Sequence, residues 1–168
     1  YYFNGAEATS QGIELDVSYA LADNLYLDFT GSSMTAETNT DIVSLGASKG
    51  DRLPNTVEKQ YNIGLTYEYS SPLMGLASFI RADYLYYGDS FATFEQSESM
   101  FSPDYTKLNI NWGMEIDENN SIQLSVDNAT DERTEAFKYS VSSPSWRPRD
   151  YMQWIPPRSV TFSYRYNY

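Results

Sequence analysis

The sequence predicts an all-β fold, an antiparallel transmembrane β-barrel, and three observations lead to this prediction. Apolar and polar residues alternate along several segments, most strictly along residues 160–168. The connections between these segments alternate between short and long. Aromatic residues make up 16% of the chain, which includes 16 Tyr. Successive side chains of a strand point to opposite faces, so a strand between lipid and a polar interior must alternate in this way.

The first two predicted strands form a hairpin. Along residues 11–21 every second residue is apolar. Residues 25–36 begin with the same pattern and become polar towards their far end. The connection between them contains Asp23 and Asn24, which suit a tight reversal of the chain.

Four further strands are predicted from the same period of two. Residues 61–69 show the clearest alternation in the interior of the chain. Residues 80–87 also alternate, except that Leu85 falls among the polar positions. Residues 107–116 and 122–126 flank an acidic, amide-rich turn and form a second hairpin.

The seventh strand, residues 160–168, is apolar or aromatic at every second position and closes on Tyr168. All seven Pro residues fall in connections or at the entrance of a strand, where a missing N–H does no harm. The short connections lie near residues 22, 72 and 118, and the long ones span 38–56, 88–104 and 128–157. Outer-membrane barrels have this asymmetry, with short periplasmic turns and long external loops.

Tyrosines support the same orientation, because they gather near the two ends of the predicted strands. The group near the short turns consists of Tyr19, Tyr67, Tyr69, Tyr164, Tyr166 and Tyr168. The group near the long loops consists of Tyr61, Tyr84 and Tyr86. Such girdles suit the headgroup level, where the ring meets apolar solvent and the hydroxyl reaches water. The alternative is that Tyr serves as an ordinary β-former in a soluble sheet.

Composition excludes several classes of function. The net charge of −12 argues against a nucleic-acid partner, which would require a basic surface. The chain has no Cys and no His, so disulfides, thiolate or imidazole metal sites and imidazole-based catalysis are excluded. No apolar run is long enough for a transmembrane helix. We therefore expect no catalytic residues, no metal site, no cofactor and no enzyme.

The predicted strand count implies a larger barrel. Seven antiparallel strands cannot close with both ends on the periplasmic side, and open edges in hydrocarbon would leave unpaired backbone groups. More strands are therefore expected before residue 1. The polar face is rich in charge, which suits a wide lumen that touches water or a polar plug, although a narrow eight-stranded barrel could also bury such a network. Its charged residues are Glu14, Asp16, Asp28, Glu68, Arg81, Asp83, Lys107, Glu115, Asp127 and Arg165.

Three segments resemble the carboxy-terminal part of TonB-dependent receptors, the plugged outer-membrane transporters. Residues 10–16, Ser-Gln-Gly-Ile-Glu-Leu-Asp, are similar to the small-x-Gly-apolar-Glu opening of a family strand. Residues 126–132, Val-Asp-Asn-Ala-Thr-Asp-Glu, resemble the stretch that ends the penultimate strand. Residues 157–168 resemble the closing Pro-Arg and alternating strand, although they end on Tyr rather than the commoner Phe.

The resemblance implies that residues 1–168 are the carboxy-terminal segment of a barrel of about 22 strands with a plugged lumen. The amino-terminal plug domain and the segment that contacts TonB would then lie upstream. The terminal stripe would be read by the barrel-assembly machinery, through Phe162, Tyr164, Tyr166 and Tyr168. The implied location is the outer membrane of a Gram-negative bacterium, with the lipid bilayer around the chain.

Ligand contacts are expected on the long loops, since functional residues concentrate on loops held by a rigid scaffold. The loop at 88–104 offers Phe91, Phe94 and Phe101 among acidic residues. The last loop mixes cations with aromatic rings, and its candidates are Trp146, Arg147, Arg149 and Tyr151. Arg donates two parallel hydrogen bonds to carboxylates, and aromatic rings stack on planar ligands. The alternative is that these rings only pack the loops.

The function that the resemblance implies is energised import of a scarce bulky nutrient, a ferric siderophore first and cobalamin, haem or an oligosaccharide next. Three alternatives stay open at this point. They are a small eight-stranded structural or adhesive barrel, a soluble carbohydrate-binding β-sandwich and, least favoured, an outer-membrane enzyme. The Asn128-Ala129-Thr130 triplet matches a glycosylation sequon, which we interpret as a chance match.

Overall fold

The chain folds into one large antiparallel sheet with two small accessory sheets. The structure is a computed structural model that describes residues 7–72, 74–143 and 146–168, with side chains outside 140–148. The strands are β1 (Ala8–Ala22), β2 (Leu25–Thr38), β3 (Lys59–Ser70), β4 (Ala77–Tyr87), β5 (Ser90–Phe91), β6 (Phe101–Ser102), β7 (Tyr105–Glu115), β8 (Asn120–Asp127), β9 (Glu135–Ser143), β10 (Trp146–Trp154) and β11 (Ser159–Tyr166).

The main sheet has seven strands in the order β1-β2-β3-β4-β7-β8-β11, and all neighbours are antiparallel. The seven predicted strands are thus confirmed in number and in order. Most of them are longer than predicted, because the pairing continues beyond the strictly alternating residues. The first hairpin, for example, is paired from Ala8 and Thr38 down to Ala22 and Leu25. The seventh instead ends at Tyr166, two residues before the predicted end at Tyr168.

The register gives the sheet an apolar face. One row of paired residues across five strands consists of Val17, Phe29, Ile63, Tyr84 and Leu108. Many large side chains on this face are exposed, including Leu65 at 42% and Phe162 at 67%. A continuous exposed apolar surface of this kind needs an apolar environment outside the chain.

The opposite, polar face carries the charged and amide side chains. On this face, the row of paired residues next to the apolar row consists of Ser18, Asp28, Gly64, Asp83 and Asn109. Leu85, the exception noted in the sequence, does lie on the polar face, where it pairs with Lys107. The predicted separation of the two faces is therefore confirmed.

Connections also separate by length. Residues 23–24, 71–76 and 116–119 make short turns at one end of the sheet. The other end carries three long loops, which we name loop A (residues 39–58), loop B (residues 88–104) and loop C (residues 128–158). The short Val43–Leu45 and Glu98–Met100 segments are 3-10 turns within loops A and B.

Loop C contains a long hairpin that the period-two pattern does not predict. Strand β9 pairs with β10 over residues 135–154, and β5 pairs with β6 inside loop B. Phe137 and Tyr139 do alternate along β9, but the pattern there is short and mixed with cations, unlike that of the seven strands of the sheet.

Buried apolar residues lie only at the long-loop end in the described part of the chain. They are Ala36, Ala47, Met100 and Ile155. Among the described residues, no helix has the length and apolarity needed to cross a bilayer. The loops therefore have a small packed interior of their own, above a sheet whose two faces are both open.

Candidate functional site

A charge cluster on the polar face centres on Arg81. Its Nη1 lies 2.6 Å from Oδ2 of Asp28, and its Nη2 lies 2.8 Å from Oδ1 of Asp83. Arg81 Nη1 also donates to the Thr66 hydroxyl at 3.0 Å. Gly64 lies between the two carboxylates in the sheet, and a Cβ there would overlap the guanidinium. The absence of a side chain at Gly64 is what allows Arg81 to reach across β3.

The same cluster links four neighbouring strands. The Ser18 hydroxyl donates to Oδ1 of Asp28 at 2.8 Å, and the Asn62 amide donates to Oδ1 of Asp83 at 3.4 Å. With two carboxylates against one guanidinium, the cluster keeps a net negative charge. It fixes the polar face of β1 to β4 below the long loops.

A groove of about 500 Å³ lies on the polar face between this cluster and the long-loop end. Its lining includes Glu14 and Asp16 on β1 and Gln60 and Asn62 on β3. The groove thus presents carboxylate and amide groups, and none of its lining residues is cationic.

An aromatic patch borders the groove. The rings of Tyr87 and Tyr105 are stacked at 5.2 Å with an interplanar angle of 14°, and Leu85 lies on the same face of β4. Sequence reasoning missed this patch, because Tyr105 lay outside the predicted strand and Leu85 was treated as an exception. The sequence signal for the patch is that Leu85 and Tyr87 are apolar or aromatic at positions where the alternation predicts polar residues.

Loops A and B are joined by a side chain that sequence reasoning did not single out. The Arg52 guanidinium lies 2.9 Å from Oδ2 of Asp89, and it also donates to the carbonyl oxygens of Asp89 and Thr56. Its side chain is only 15% exposed. A backbone hydrogen bond of 2.7 Å, from the N–H of Asn55 to the carbonyl of Phe91, also joins loops A and B.

In loop B, the structure brings together two of the three predicted ligand residues. The rings of Phe91 and Phe101 lie 5.0 Å apart across the β5–β6 pair, tilted by 44°. Phe94 is half-buried nearby in the chain, and Met100 is buried. The rings therefore do pack the loop, while the partly exposed Phe side chains stay open to contact from outside.

In loop C, Tyr151 stacks on Tyr139 at 4.9 Å and 10°, and Phe137 lies 5.9 Å from Tyr139. Arg149 is exposed and lies two residues before Tyr151 on β10. Strand β9 lies beside β6, so loops B and C adjoin. The side chains of the predicted candidates Trp146 and Arg147 lie outside the described residues.

The base of loop C is closed by Asn128, which is 1% exposed. Its Nδ2 donates to the carbonyls of Glu132 and Pro156 at 3.0 Å each, and its Oδ1 accepts from the Glu132 N–H at 2.9 Å. Its own N–H donates to Oδ1 of Asn109 at 2.9 Å. Because the Asn128 side chain is buried and its amide nitrogen makes two hydrogen bonds, it has no room for a glycan. This agrees with the interpretation of the sequon as a chance match.

Asp131 fastens the same base from the surface. Its Oδ1 accepts the backbone N–H of Arg158 at 3.0 Å, and its Oδ2 lies 3.1 Å from Nη2 of Arg133. These two donors, the Arg158 N–H first, hold the pKa of the Asp131 carboxyl below its usual range. Asp131 lies in loop C, outside the strands of the main sheet.

Comparison with known proteins decides the family. A family model described as TonB dependent receptor-like, beta-barrel, matches residues 1–129. The chain belongs to the TonB-dependent receptor β-barrel family. No curated protein matches the sequence.

Solved TonB-dependent receptors share the fold. The ferric yersiniabactin uptake receptor FyuA of Yersinia pestis matches with a TM-score of 0.80 and 19% identity, over 98% of this chain and 24% of that one. The ferric preacinetobactin receptor BauA of Acinetobacter baumannii matches with a TM-score of 0.75 and 13% identity, over 96% and 22%. The ferripyoverdine receptor of the Pseudomonas aeruginosa outer membrane matches with a TM-score of 0.68 and 15% identity, over 97% of this chain and 20% of that one. The chain thus spans about a quarter or less of these receptors.

Membership in the TonB-dependent receptor family orients the sheet. These receptors are β-barrels of the Gram-negative outer membrane, so the apolar face meets lipid and the polar face lines the lumen. The three long loops are external, and the groove with its Tyr87–Tyr105 patch opens beneath them. The match decides against the soluble β-sandwich and the small barrel considered from the sequence.

Two of the three segments that resemble TonB-dependent receptors meet in space. Asn128 and Asp131 belong to one of them, and Arg158 belongs to the other. Besides its bond to Asp131, Arg158 donates from Nη1 to the carbonyl of Ala129 at 3.4 Å. The two segments are therefore in contact at the base of loop C.

Proposed function

We propose that the full-length protein imports a ferric siderophore across the outer membrane. The observation that carries this proposal is the family match over residues 1–129. Three receptors of the same fold are described as receptors for ferric yersiniabactin, ferric preacinetobactin and ferripyoverdine, which supports this ligand class over cobalamin, haem or an oligosaccharide.

Residues 1–168 are proposed to form the closing wall of a barrel of about 22 strands. The plug domain would come from the rest of the protein and fill the lumen. The luminal side of β1 to β4 favours a partner that presents cations there, because Glu14, Asp16, Asp28 and Asp83 outnumber Arg81. Energy would reach the plug through TonB, without contact to this chain.

The ligand is proposed to enter between loops B and C and to meet the lumen at the groove. Phe91, Phe94 and Phe101 would line one side of this entrance. The exposed Tyr151 ring offers a stacking surface, and the exposed Arg149 offers donors to an anionic ligand. Trp146 and Arg147 stay predictions on the same hairpin.

The last strand is proposed to carry the signal for the barrel-assembly machinery. The side chains of Phe162, Tyr164 and Tyr166 on β11 are all exposed, and so is that of Tyr168 beyond the end of the strand. An exposed aromatic stripe on an edge strand of the sheet is available to a partner before the barrel closes.

The test is uptake of radioactive iron by iron-starved cells that carry the full-length receptor. Residues 135–154 are replaced by a short Gly-Ser linker, which closes easily because Glu135 and Trp154 are paired. The base around Asn128 stays intact, and heat-modifiable gel migration confirms assembly. We expect the variant to lose uptake of the ferric siderophore that the wild type imports.

A matched control is the Val43→Ser, Leu45→Ser variant, which changes exposed residues of loop A and should transport like the wild type. Unchanged uptake after the hairpin deletion would reject contact by loop C. A wild type that imports haem, cobalamin or an oligosaccharide from the same panel, but no ferric siderophore, would reject the ligand class.

A further inference from the structure

Loops A and B come from different connections of the sheet, yet one guanidinium spans both. Arg52 belongs to loop A, and its backbone forms a bridge with Glu37 of β2. Its Nη1 lies 2.9 Å from Oδ2 of Asp89 in loop B, and its Nη2 donates to the carbonyls of Asp89 and Thr56. A second carboxylate, that of Glu58, lies 3.6 Å from its Nε.

The seam around Arg52 is packed along its length. The N–H of Asn55 donates to the carbonyl of Phe91 at 2.7 Å, and the N–H of Gly88 donates to the carbonyl of Lys59 at 2.8 Å. A Cβ at Gly88 would lie 2.8 Å from that carbonyl, so the backbone segments around Gly88 and Lys59 approach closely. On the loop B side, Ser90 is only 6% exposed.

Arginine is the side chain that this arrangement requires. Its planar fork offers five donors, and here Nη1 and Nη2 make three hydrogen bonds, to a carboxylate and two carbonyls. A lysine ammonium is a single point charge and cannot reach all three acceptors together. Without the cation, the carboxylate of Asp89 would lose its partner at 2.9 Å, and that of Glu58 its partner at 3.6 Å.

We propose that Arg52 is a positioning residue that holds loops A and B as one preformed unit. The unit fixes the backbone of Phe91, and with it the Phe91–Phe101 ring pair, in the place where a ligand meets loop B. The effect on ligand binding rests on the proposed function, whereas the coupling of the two loops does not. The Arg52 side chain is only 15% exposed, so it acts through the loops that it joins.

Apparent affinity falls with the fraction of receptors whose binding surface is assembled. If removal of Arg52 leaves the unit assembled about a tenth of the time, the Kd for the ligand rises about tenfold. The rate of hydrogen exchange in loops A and B should rise in parallel, even in the ligand-free receptor.

The experiment compares Arg52→Gln with the wild type in the purified full-length receptor. Hydrogen exchange is measured over residues 39–58 and 88–104 without ligand, and the Kd is measured with the ferric siderophore that the wild type imports. Lys49→Gln is the matched control, since it removes an exposed cation from the same loop. We expect faster exchange in both loops and about a tenfold weaker Kd only for Arg52→Gln.

A rescue separates positioning from general damage. Residues 1–168 contain no Cys. In the Arg52→Gln receptor, with any Cys elsewhere replaced, Asn55→Cys and Ala92→Cys can be joined by a short thiol crosslinker across the seam. The crosslink should restore slow exchange and most of the affinity. If Arg52→Gln fails to assemble, Arg52→Lys and Asp89→Asn test the same bonds with a smaller change.

Two outcomes would overturn the proposal. In the first, exchange and Kd of Arg52→Gln, or of its substitutes, match those of the wild type. In the second, exchange accelerates in both loops but the crosslink restores neither quantity. A wild type that binds no ferric siderophore would contradict the proposed function alone, and the exchange result would then decide whether Arg52 couples the loops.

Discussion

The side-chain amide of Asn128 donates a 3.0 Å hydrogen bond to the carbonyl oxygen of Pro156, across the 28 residues that separate them. This bond ties the end of β8 to the approach of β11, and loop C rises between them. A second bond from the same amide reaches Glu132, so the polar groups of Asn128 are satisfied although its side chain is almost fully buried.

Substitution of Asn128 should destabilise the base of loop C. Asn128→Ala would remove the hydrogen-bond partner of two carbonyls and one N–H at this part-buried base, at a cost of about 2–3 kcal/mol. Asn128→Asp keeps the acceptor but sets a carboxylate oxygen against two carbonyl oxygens in a site that is 1% exposed, so its effect should be no smaller. The midpoint of urea unfolding in detergent measures the difference, and an Ala variant as stable as the wild type would contradict this role.

Gly64 and Arg81 should be energetically coupled. Gly64→Ala places a methyl group on the Arg81 guanidinium, and such overpacking costs about 1–3 kcal/mol. In an Arg81→Ala background the same substitution should cost much less, because the overlap with the guanidinium is gone. Unfolding midpoints of the four receptors of this double-mutant cycle test the coupling, and equal penalties in both backgrounds would disprove it.

The two faces of β3 should differ in their surroundings. A spin label at Leu65 is expected to collide with oxygen, which concentrates in lipid, because Leu65 lies on the apolar face. A label at Glu68, on the polar face, should respond instead to a water-soluble nickel reagent. Power-saturation measurements in reconstituted membranes compare the two, and the reverse result would overturn the orientation of the barrel wall.

Acid stability should depend on Asp131. Its folded-state pKa is lowered by the Arg158 N–H and by Arg133, so its contribution is complete above the ordinary carboxyl pKa of about 3.9. The contribution disappears as the pH falls through the lower folded-state value. Asp131→Asn should therefore be less stable than the wild type at neutral pH, with a difference that shrinks below about pH 4. Urea midpoints measured along a pH series check the sign, and a constant difference would reject it.

The identity of the terminal ring should matter less than its aromatic character. Tyr168→Phe is expected to reach wild-type amounts in the outer membrane, whereas Tyr168→Ala should be severalfold reduced. Tyr164 also donates through its hydroxyl to Asn120, so Tyr164→Phe tests that bond separately from the ring. Quantitative blots of membrane fractions measure assembly, and equal amounts of Tyr168→Ala and wild type would remove Tyr168 from the assembly signal.

Sequence periodicity predicted the sheet well because each strand has one face in lipid. The alternation through Ile63 and Leu65 is required by the environment on that side, whatever the neighbouring strands are. The cluster around Arg81 was not predictable in the same way. Asp28 and Arg81 are 53 residues apart in the chain, and only the register of β2, β3 and β4 brings them together.

The loops show where such reasoning ends. Phe91 and Phe101 were identified from composition, but their contact depends on the β5–β6 pairing, which is only two residues long. Arg52 was not predictable from the sequence, because its ion-pair partner Asp89 lies 37 residues further along the chain in another loop. Contacts between loops are set by the scaffold beneath them, so they become visible only when the strands are in place.

The closed base of loop C makes the hairpin above it a separable module. Asn128, Asp131 and Arg158 complete their bonds below residue 135 and above residue 154, so the intervening segment can change in length and composition while the wall stays intact. Under the proposed function, grafting a hairpin from another receptor onto this base should exchange ligand preference while the barrel wall stays folded.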